Sequence, residues 1–286
     1  MLATALDKMT PNEKTKVLIE ALPYIEKYHN KIVVIKLGGN AISEINNAAE
    51  DVALLKRLGI QPVIVHGGGP EIDNELKKLK IIPKFINGLR YTDEMIIGVV
   101  EKVFFRINKR IVNKLKAKRV KSVNASGCIK VRQKNHELGL VGGITKIDKQ
   151  KILEHIHSGS IPIISPIGFG NGGKKYNVNA DTAASHIAVA LNAEKLTMLT
   201  NVDGIIINGS LQSHINFDAA KREIRKGNIN KGMIPKVEAC IYAVKNKCPK
   251  AHLINGLIPH SLLLEIFTDK GVGTEIVYKN GNAKSH

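Results

Sequence analysis

Residues 32–40 read IVVIKLGGN, and this stretch decides the fold. Its first six residues are apolar and mostly β-branched except for one lysine, which is typical of a strand buried in a sheet. The two glycines that follow predict a sharp turn out of the strand. The sequence therefore places Lys36 near the carboxyl end of a buried strand, where α/β proteins bind their ligands.

Four further apolar clusters are equally short, β-branched and bounded by Gly, Pro or Asn. They are PVIVHG (62–67), IPIISPIG (161–168), KLTMLTNV (195–202) and AHLIN (251–255). The stretches between them have the apolar spacing of helices, at 41–58, 71–79, 94–115, 182–191 and 233–244. This alternation predicts an α/β fold with a mostly parallel sheet between layers of helices.

Two regions depart from the alternation. Residues 120–147 contain short alternating segments and the glycines Gly139, Gly142 and Gly143, and they predict hairpins on an edge of the sheet. The residues before the first strand predict an amphipathic helix, kinked by Pro23. Its apolar face consists of Val17, Leu18, Ala21, Leu22, Ile25 and Tyr28. Such a helix either packs against its own domain or meets a partner subunit, and the pattern favours neither.

The composition limits the possible classes of protein. The chain has 286 residues, 43% of them hydrophobic, which suffices for a large core and excludes a disordered protein. No run of 18 apolar residues occurs, so we expect no membrane span. Three cysteines without metal-ligand spacing indicate neither a disulfide framework nor a zinc site, and they fit a reducing compartment. Residues 1–14 lack the apolar segment of a signal peptide, so we expect no cleaved leader.

The chain is strongly basic, with 43 Lys and Arg against 25 Asp and Glu and a formal net charge of +18. Such a charge attracts polyanions, so nucleic-acid binding has to be considered. The basic residues are spread along the whole chain, however, and only 4% of the residues are aromatic. The densest basic stretch, at 109–121, matches no known nucleic-acid-binding pattern. We therefore expect small anionic substrates instead.

Two predicted strands run directly into glycines, and each is followed by a predicted helix. The first ends in KLGGN (36–40) and the second in HGGGP (66–70). Glycines let a backbone approach a ligand, and the N–H groups of a helix start attract phosphate or carboxylate. One such loop equally suits a plain tight turn, but two together favour an anion site. The string GFGNGG (168–173) matches a dinucleotide-binding pattern but precedes no apolar helix, so we predict no dinucleotide site there.

Further polar residues precede predicted helices. Asn177, Asn179 and Asp181 alternate along the chain, so in an extended segment they would point the same way. Asp181 equally suits the cap of the following helix. Arg90 lies in a loop before a helix, where it could clamp a carboxylate with two hydrogen bonds or lie on the surface. Lys236, in GMIPK (232–236), equally suits a solvent-exposed helix lysine, as most lysines are.

Seven motifs in order make the chain resemble a known family. They are KLGGN, HGGGPEID, NGLRYTD, YNVNADTAA, LTNVDG, GMIPKVEAC and LLLEIFTDKGVGT. The chain resembles the N-acetyl-L-glutamate kinases of arginine biosynthesis, members of the amino acid kinase family, over about residues 32–276. The resemblance implies a three-layer αβα sandwich around an open sheet. It also implies transfer of the γ-phosphoryl group of ATP to the side-chain carboxylate of N-acetyl-L-glutamate.

The resemblance implies a division of the chain and a role for each motif residue. Residues 1–30 would form a helical extension and residues 31–286 the kinase domain, with a substrate lobe to about 194 and a nucleotide lobe from about 195. Lys36 and Lys236 would stabilise the migrating phosphoryl group, and Asp181 would hold both lysines. The acceptor would be bound by Gly68, Gly69, Arg90 and Asn177. ATP would be bound by Gly38, Gly39, Asn201 and Asp203, and Mg²⁺ would arrive with it.

The N-terminal extension resembles that of the arginine-inhibited branch, where it joins dimers into a homohexamer. An L-arginine feedback site would then be lined by Lys195, His252, Glu265, Gly271 and Gly273, with Glu265 pairing the ligand's cation. A PII-type signal protein is a further implied partner. The composition, rich in Lys, Asn and Ile as in AT-rich coding, fits the plastid stroma, and the alternative compartment is the bacterial cytoplasm.

Three segments depart from the family pattern and keep a second function open. SGCIK (126–130) replaces SGKDG, LTNVDG has Asn201 in place of a carboxylate, and LINGL (253–257) replaces IIDGR. The alternative is a catalytically weak homologue that senses arginine or acetylglutamate. Because Lys36, Asp181 and Lys236 are unchanged, the sequence favours an active kinase.

Overall fold

The computed structural model describes residues 10–38, 45–230, 232–268 and 271–278. Nine α-helices lie in these ranges: α1 (Pro11–Tyr28), α2 (Ile45–Arg57), α3 (Gly69–Lys78), α4 (Glu94–Ala117), α5 (Lys149–His157), α6 (Ala180–Ala190), α7 (Phe217–Arg225), α8 (Ile234–Lys245) and α9 (Ser261–Phe267). None of these helices is both long enough and apolar enough to span a bilayer.

The strands form one large sheet and three small ones. Their bounds are β1 (Ile32–Leu37), β2 (Gln61–His66), β3 (Phe85–Ile86), β4 (Leu89–Arg90), β5 (Ser122–Asn124), β6 (Ile129–Gln133), β7 (Gly142–Ile147), β8 (Ile161–Ile164), β9 (Ile167–Phe169), β10 (Lys175–Asn177), β11 (Lys195–Thr200), β12 (Ile206–Ile207), β13 (Ser210–Leu211), β14 (His214–Asn216), β15 (Lys250–Asn255) and β16 (Thr274–Val277). The eight strands of the large sheet run in the order β14-β16-β15-β11-β1-β2-β8-β5.

The large sheet is parallel from β15 to β5, and β1 lies inside it. Strand β1 pairs with β2 on one side and with β11 on the other, both in parallel. Every residue of β11 is buried, and so are the last five of β1. Because consecutive side chains of a strand point to opposite faces, this burial shows that both faces of the sheet are covered. The predicted α/β sandwich is confirmed.

The carboxyl ends of β1, β2 and β11 meet at one edge of the sheet. The chain crosses from β1 to β2 on one side, whereas β11 lies on the other side of β1. A reversal of this kind opens a crevice between the loops that follow the strands, where α/β proteins bind ligands. The fold therefore brings the segments after Leu37, His66 and Thr200 to one place.

Two predictions about the strands need correction. The cluster at 161–168 is not one strand, because Pro166 lacks the N–H that a sheet ladder requires. The chain turns there, since the Ile167 N–H donates to the Ser165 carbonyl at 2.8 Å. Strand β9 then joins a second sheet in the order β10-β9-β6-β7.

The predicted edge hairpins at 120–147 are also only partly correct. Of these segments only strand β5 joins the large sheet, where it forms one edge beside β8. Strands β6 and β7 pair with each other as an antiparallel hairpin and belong to the second sheet. Alternation within short segments predicts hairpins but does not indicate which sheet they join.

The N-terminal helix α1 begins at Pro11, six residues before Val17, the first residue of the predicted apolar face. Thr10 and Glu13 form a capping box at its start, and the helix continues unbroken through Pro23 to Tyr28. The predicted kink therefore does not divide the helix. Only Tyr28 is buried, with 4% of its surface exposed, whereas Leu18 is 71% exposed. The helix thus packs against its own domain at its last turn and leaves most of its apolar face uncovered.

Candidate active site

Lys36 is the penultimate residue of β1 and points into the crevice at the carboxyl edge of the sheet. Its Nζ lies 2.7 Å from Oδ1 of Asp181, and both side chains are only 7% exposed. Gly38, two residues on, donates its N–H to the Leu199 carbonyl at 3.0 Å. A Cβ at Gly38 would lie 2.6 Å from that carbonyl oxygen, so only glycine lets β1 pass β11 this closely.

Asp181 lies in the first turn of α6. The predicted alternative, in which Asp181 caps this helix, is wrong because the helix starts earlier than predicted, at Ala180. Asn179 is the cap, and its Oδ1 accepts the Thr182 N–H at 2.9 Å. The Asp181 carboxylate is therefore free of capping and lies near the positive end of the helix dipole.

Lys236 approaches the same carboxylate from the opposite side. It lies in the first turn of α8, and its Nζ is 3.8 Å from Oδ2 of Asp181. The side chain of Asn230 fixes the loop before α8 by accepting the Met233 N–H at 2.9 Å. Two lysines far apart in the sequence thus converge on one carboxylate. Lys36 is buried, whereas Lys236 is one-quarter exposed and reaches solvent.

The two lysines keep Asp181 ionised. Burial alone would raise the pKa of the Asp181 carboxyl, but the positive charges of Lys36 and Lys236 outweigh it and hold that pKa below its ordinary value. A carboxylate held by two cations accepts no further proton at neutral pH. Asp181 is therefore suited to holding the lysines in place and unsuited to acting as a base.

Lys36, Asp181 and Lys236 form a triad. A cleft of about 240 Å³ opens beside it. Its lining includes Lys36, Asp181, Gly68, Gly69, Arg90 and Asn177. The structure thus brings all four predicted acceptor-binding residues to Lys36 and Asp181, two of the three predicted catalytic residues. A cleft of this volume, with a cationic floor, suits a small anionic metabolite.

Each acceptor-binding residue has a defined place in this cleft. Gly68 packs against α4, where a Cβ would lie 2.8 Å from Ile107, whereas a Cβ at Gly69 would meet no described atom within 4 Å.

Arg90 donates to Asp73 at 2.6 Å, and its side chain is 8% exposed. The Asn177 amide donates to the Thr92 hydroxyl at 3.2 Å.

The predicted ATP-binding residues follow the next strand of the sheet. Asn201 and Asp203 come directly after β11 and are exposed. Asp203 accepts a hydrogen bond of 2.8 Å from the side chain of Asn255, the last residue of β15. Gly39 lies outside the described residues. The structure therefore places Asn201 and Asp203 at the sheet edge that carries Lys36 and Gly38.

Comparison with known proteins places this arrangement in a family. A model described as "Amino acid kinase family" matches residues 31–255. The chain belongs to the amino acid kinase family. It is 49% identical over 277 residues to the acetylglutamate kinase of Caldanaerobacter subterraneus subsp. tengcongensis, covering 92% of this chain and 93% of the relative. The predicted family is thereby confirmed.

Solved structures of one further enzyme share this amino acid kinase fold. N-acetylglutamate synthase from Neisseria gonorrhoeae, complexed with coenzyme A and N-acetyl-glutamate, superposes with a TM-score of 0.87 at 28% identity, covering 93% of this chain. The same synthase complexed with coenzyme A and L-arginine gives a TM-score of 0.83 at 26% identity, covering 93% of this chain. This chain spans only 64% and 65% of those synthase chains.

A second charged cluster of this amino acid kinase lies beneath α1. Lys195 Nζ is 2.9 Å from Oε1 of Glu265, with side chains 3% and 4% exposed. His252 Nδ1 contacts the same oxygen, and its Nε2 lies 3.3 Å from Glu275. The Tyr28 ring covers the cluster, with Lys195 Nζ 5.7 Å from the ring centroid.

The glycines of the predicted feedback site adjoin this cluster. Gly271 has a φ of +53°, and a Cβ there would lie 2.8 Å from Oε2 of Glu265. Gly273 has a φ of +92°, and a Cβ there would lie 2.1 Å from the Leu253 carbonyl. All five predicted feedback residues therefore lie together.

Sequence reasoning missed two residues of these sites. Glu275 forms an ion pair with Lys250 at 2.6 Å. The only feature of the sequence that points to Glu275 is a carboxylate within a short apolar strand. His66 is fully buried behind the glycine loop. The sequence motifs predict no role for it, although it directly precedes the three glycines of HGGGP. A polar ring inside an apolar strand was the available signal.

Proposed function

We infer that this chain is an acetylglutamate kinase, which transfers the γ-phosphoryl group of ATP to the side-chain carboxylate of N-acetyl-L-glutamate in arginine biosynthesis. The observation that carries this inference is the convergence of Lys36 and Lys236 on buried Asp181 at the floor of a small cleft. The relative at 49% identity over almost the whole chain bears that name. An enzyme is favoured over a sensor because the triad is complete.

The reaction joins a carboxylate oxygen of the acceptor to the γ-phosphorus as the bond from that phosphorus to the β-phosphate oxygen breaks. The acceptor carboxylate is already ionised at neutral pH, so no base has to remove a proton. Charge in the loose transition state spreads over the phosphoryl oxygens, and fixed cations stabilise it. Lys36 and Lys236 supply those cations, and Asp181 keeps them aligned.

The cleft walls would hold the acceptor. Arg90 would bind its α-carboxylate, because a guanidinium donates two parallel hydrogen bonds to a carboxylate. Its contact with Asp73 fixes the guanidinium before the acceptor arrives. Gly68 and Gly69 would approach the acceptor backbone, and Asn177 would donate to it. Held in this way, the side-chain carboxylate would face the two lysines.

ATP would enter from the edge formed by the ends of β1 and β11. Gly38 and Gly39 would lie against its phosphates, and Asn201 and Asp203 would face the nucleotide. Mg²⁺ belongs to this substrate, since it binds the phosphates and keeps several waters. Both Asp181 oxygens face lysines, and the described residues contain no cluster of three metal-binding side chains.

The cluster beneath α1 supports a proposal of feedback inhibition by L-arginine. A buried carboxylate with a backbone loop around it suits the cation of that ligand, and Glu265 has one oxygen, Oε2, that faces Gly271 and accepts the Val272 N–H at 3.0 Å. Lys195 and His252 occupy the other oxygen. The synthase of similar fold was solved with L-arginine.

The exposed apolar face of α1 supports a proposal of assembly. Val17, Leu18 and Leu22 are more than half exposed, and covering them would remove apolar surface from water. We propose that α1 packs against its counterpart in another subunit and that six copies assemble. A PII-type protein would bind such an assembly as a regulator. The three described cysteines are free and buried, which suits a reducing compartment, either plastid stroma or bacterial cytoplasm.

One experiment tests the proposed activity. The purified chain is incubated with ATP, Mg²⁺ and each of N-acetylglutamate, glutamate, aspartate, carbamate and UMP, and hydroxylamine traps any acyl phosphate. We expect a hydroxamate with N-acetylglutamate and a much weaker signal with the others. Absence of that product, with arginine still bound, would instead support the sensor.

A further inference from the structure

His66 is the last residue of β2 and directly precedes Gly67 and Gly68. Its side chain is fully buried, and both ring nitrogens have partners. Nδ1 lies 3.0 Å from the carbonyl oxygen of Gly67, and Nε2 lies 3.0 Å from the Ser165 hydroxyl. The ring therefore links the start of the glycine loop to the segment after β8.

These contacts determine where the ring carries its proton. A carbonyl oxygen only accepts, so Nδ1 has to carry a hydrogen and donate it to Gly67. Burial lowers the pKa of His66 to about 4, so the ring is neutral at neutral pH. We therefore assign the hydrogen to Nδ1, and the Ser165 hydroxyl donates to Nε2.

A network of hydrogen bonds holds Ser165 in turn. Its N–H donates to the Ser126 hydroxyl at 3.1 Å. The Asn108 amide lies 3.4 Å from the Ser165 hydroxyl and donates to the Ile163 carbonyl at 3.1 Å. These contacts tie the ring to α4 and β8, and a satisfied buried network of this kind is rigid.

The network fixes the direction of one peptide plane. In a trans peptide the carbonyl and the following N–H point in opposite directions. Because His66 holds the Gly67 carbonyl toward its ring, the Gly68 N–H of the same peptide points away from the ring. Gly68 lines the cleft, and no acceptor for its N–H is found among the described residues.

We propose that His66 is a positioning residue that aims the Gly68 N–H at an oxygen of the acceptor, a role that rests on the proposed kinase function. The ring touches neither the acceptor nor the phosphoryl group. It acts through the Gly67 carbonyl, and Ser165 keeps the ring from rotating. Loss of this control turns the Gly67–Gly68 peptide and weakens binding of the acceptor.

Two substitutions separate this role from mere packing. His66→Asn places an amide N–H near the position of Nδ1 and keeps the donor to Gly67, whereas His66→Gln reaches Ser165 and loses that donor. We expect His66→Gln to raise KM for N-acetylglutamate about 10-fold and His66→Asn to raise it less than about threefold. KM for ATP should stay within about twofold in both. The control is Ile152→Ala, a fully buried residue of α5, which should lower Tm without raising KM.

Equal KM for the acceptor in the two variants would overturn the proposal. If both variants fail to fold, Ser165→Ala and the wild-type protein remain. Ser165→Ala should raise KM for the acceptor about threefold, and an unchanged value would overturn the proposal. ¹⁵N NMR of histidine-labelled wild type should show a protonated Nδ1 and a bare Nε2, and the opposite tautomer would overturn it. A wild-type protein that makes no acyl phosphate would refute the proposed function, but the tautomer measurement would still be decisive for the ring.

Discussion

Lys36 Nζ lies 2.7 Å from Oδ1 of Asp181, and the pair is almost fully buried. Removing one partner of such a pair leaves the other charge without compensation. Asp181 also contacts Lys236 on its other oxygen, so one carboxylate orients both cations. The two lysines are therefore expected to depend on Asp181 jointly.

The substitution Asp181→Asn should lower kcat roughly 100-fold or more, because both lysines lose the charge that aligns them. KM for ATP and for N-acetylglutamate should change much less, since neither substrate is held by Asp181. Initial-rate kinetics measures both. Asp148→Asn is the matched control, as Asp148 precedes α5 and makes no capping hydrogen bond. Equal losses in kcat and in substrate binding would contradict the assigned role.

The substitution Arg90→Lys should raise KM for N-acetylglutamate about 10- to 100-fold, because an ammonium group cannot form the paired hydrogen bonds of a guanidinium. The effect on kcat should be smaller, since Arg90 binds a part of the acceptor that does not react. Arg106→Lys serves as the control, as Arg106 is 54% exposed and pairs with Glu75 on the surface. A kcat effect as large as the KM effect would show that Arg90 acts in the transition state.

Much of this architecture could be predicted from the sequence, and the failures have physical causes. Strand β1 was predicted with its correct bounds because β-branched residues end abruptly at two glycines. Strands β14 and β16 were missed because each has only three or four residues, too few for a period to emerge. Glu275 was missed for the same reason.

The site residues were predicted from motifs, whereas their contacts required the structure. Local sequence shows that Asp181 precedes an apolar helical segment, but not that Asn179 provides the cap. Nor does it show that His66 contacts Ser165, which lies 99 positions away. Partners so distant in the sequence are set by the order of strands in the sheet.

The stability of the protein should fall in acid as Glu265 becomes protonated. Burial raises the pKa of Glu265, but His252 and Lys195 outweigh it and hold that pKa at about 2. A lowered folded-state pKa stabilises the protein above the unfolded value near 4.5, and this contribution is lost as the pH falls from about 4.5 to about 2. It amounts to about 3 kcal/mol at neutral pH.

Urea unfolding at pH 7 and pH 3 measures this contribution. Glu265→Gln should lower the free energy of unfolding at pH 7 and should flatten its decrease toward pH 3. Glu154→Gln is the matched control, because Glu154 is exposed on the surface of α5. A similar pH dependence in Glu265→Gln and wild type would show that other carboxylates dominate acid unfolding.

Arginine inhibition should be weakened by Gly271→Ala. Gly271 has a φ of +53°, and the added methyl group would lie 2.8 Å from Oε2 of Glu265, the oxygen proposed to receive the ligand. We expect the arginine concentration for half-inhibition to rise about 10-fold or more. Gly159→Ala is the control, since Gly159 has a φ of +77° but no described neighbour within 4 Å. Equal sensitivity of the two variants would attribute the effect to backbone strain alone.

The oligomeric state should depend on the exposed face of α1. Leu18 and Leu22 are 71% and 51% exposed, and replacing both by Gln makes that face polar without altering the capping box at Thr10. Because α1 contacts its own domain mainly through Tyr28, the kinase fold and kcat should persist while the proposed hexamer dissociates into smaller assemblies. Light scattering coupled to size exclusion measures the mass. Lys16→Gln, on the opposite face, is the control, and an unchanged mass in the double variant would place the subunit interface elsewhere.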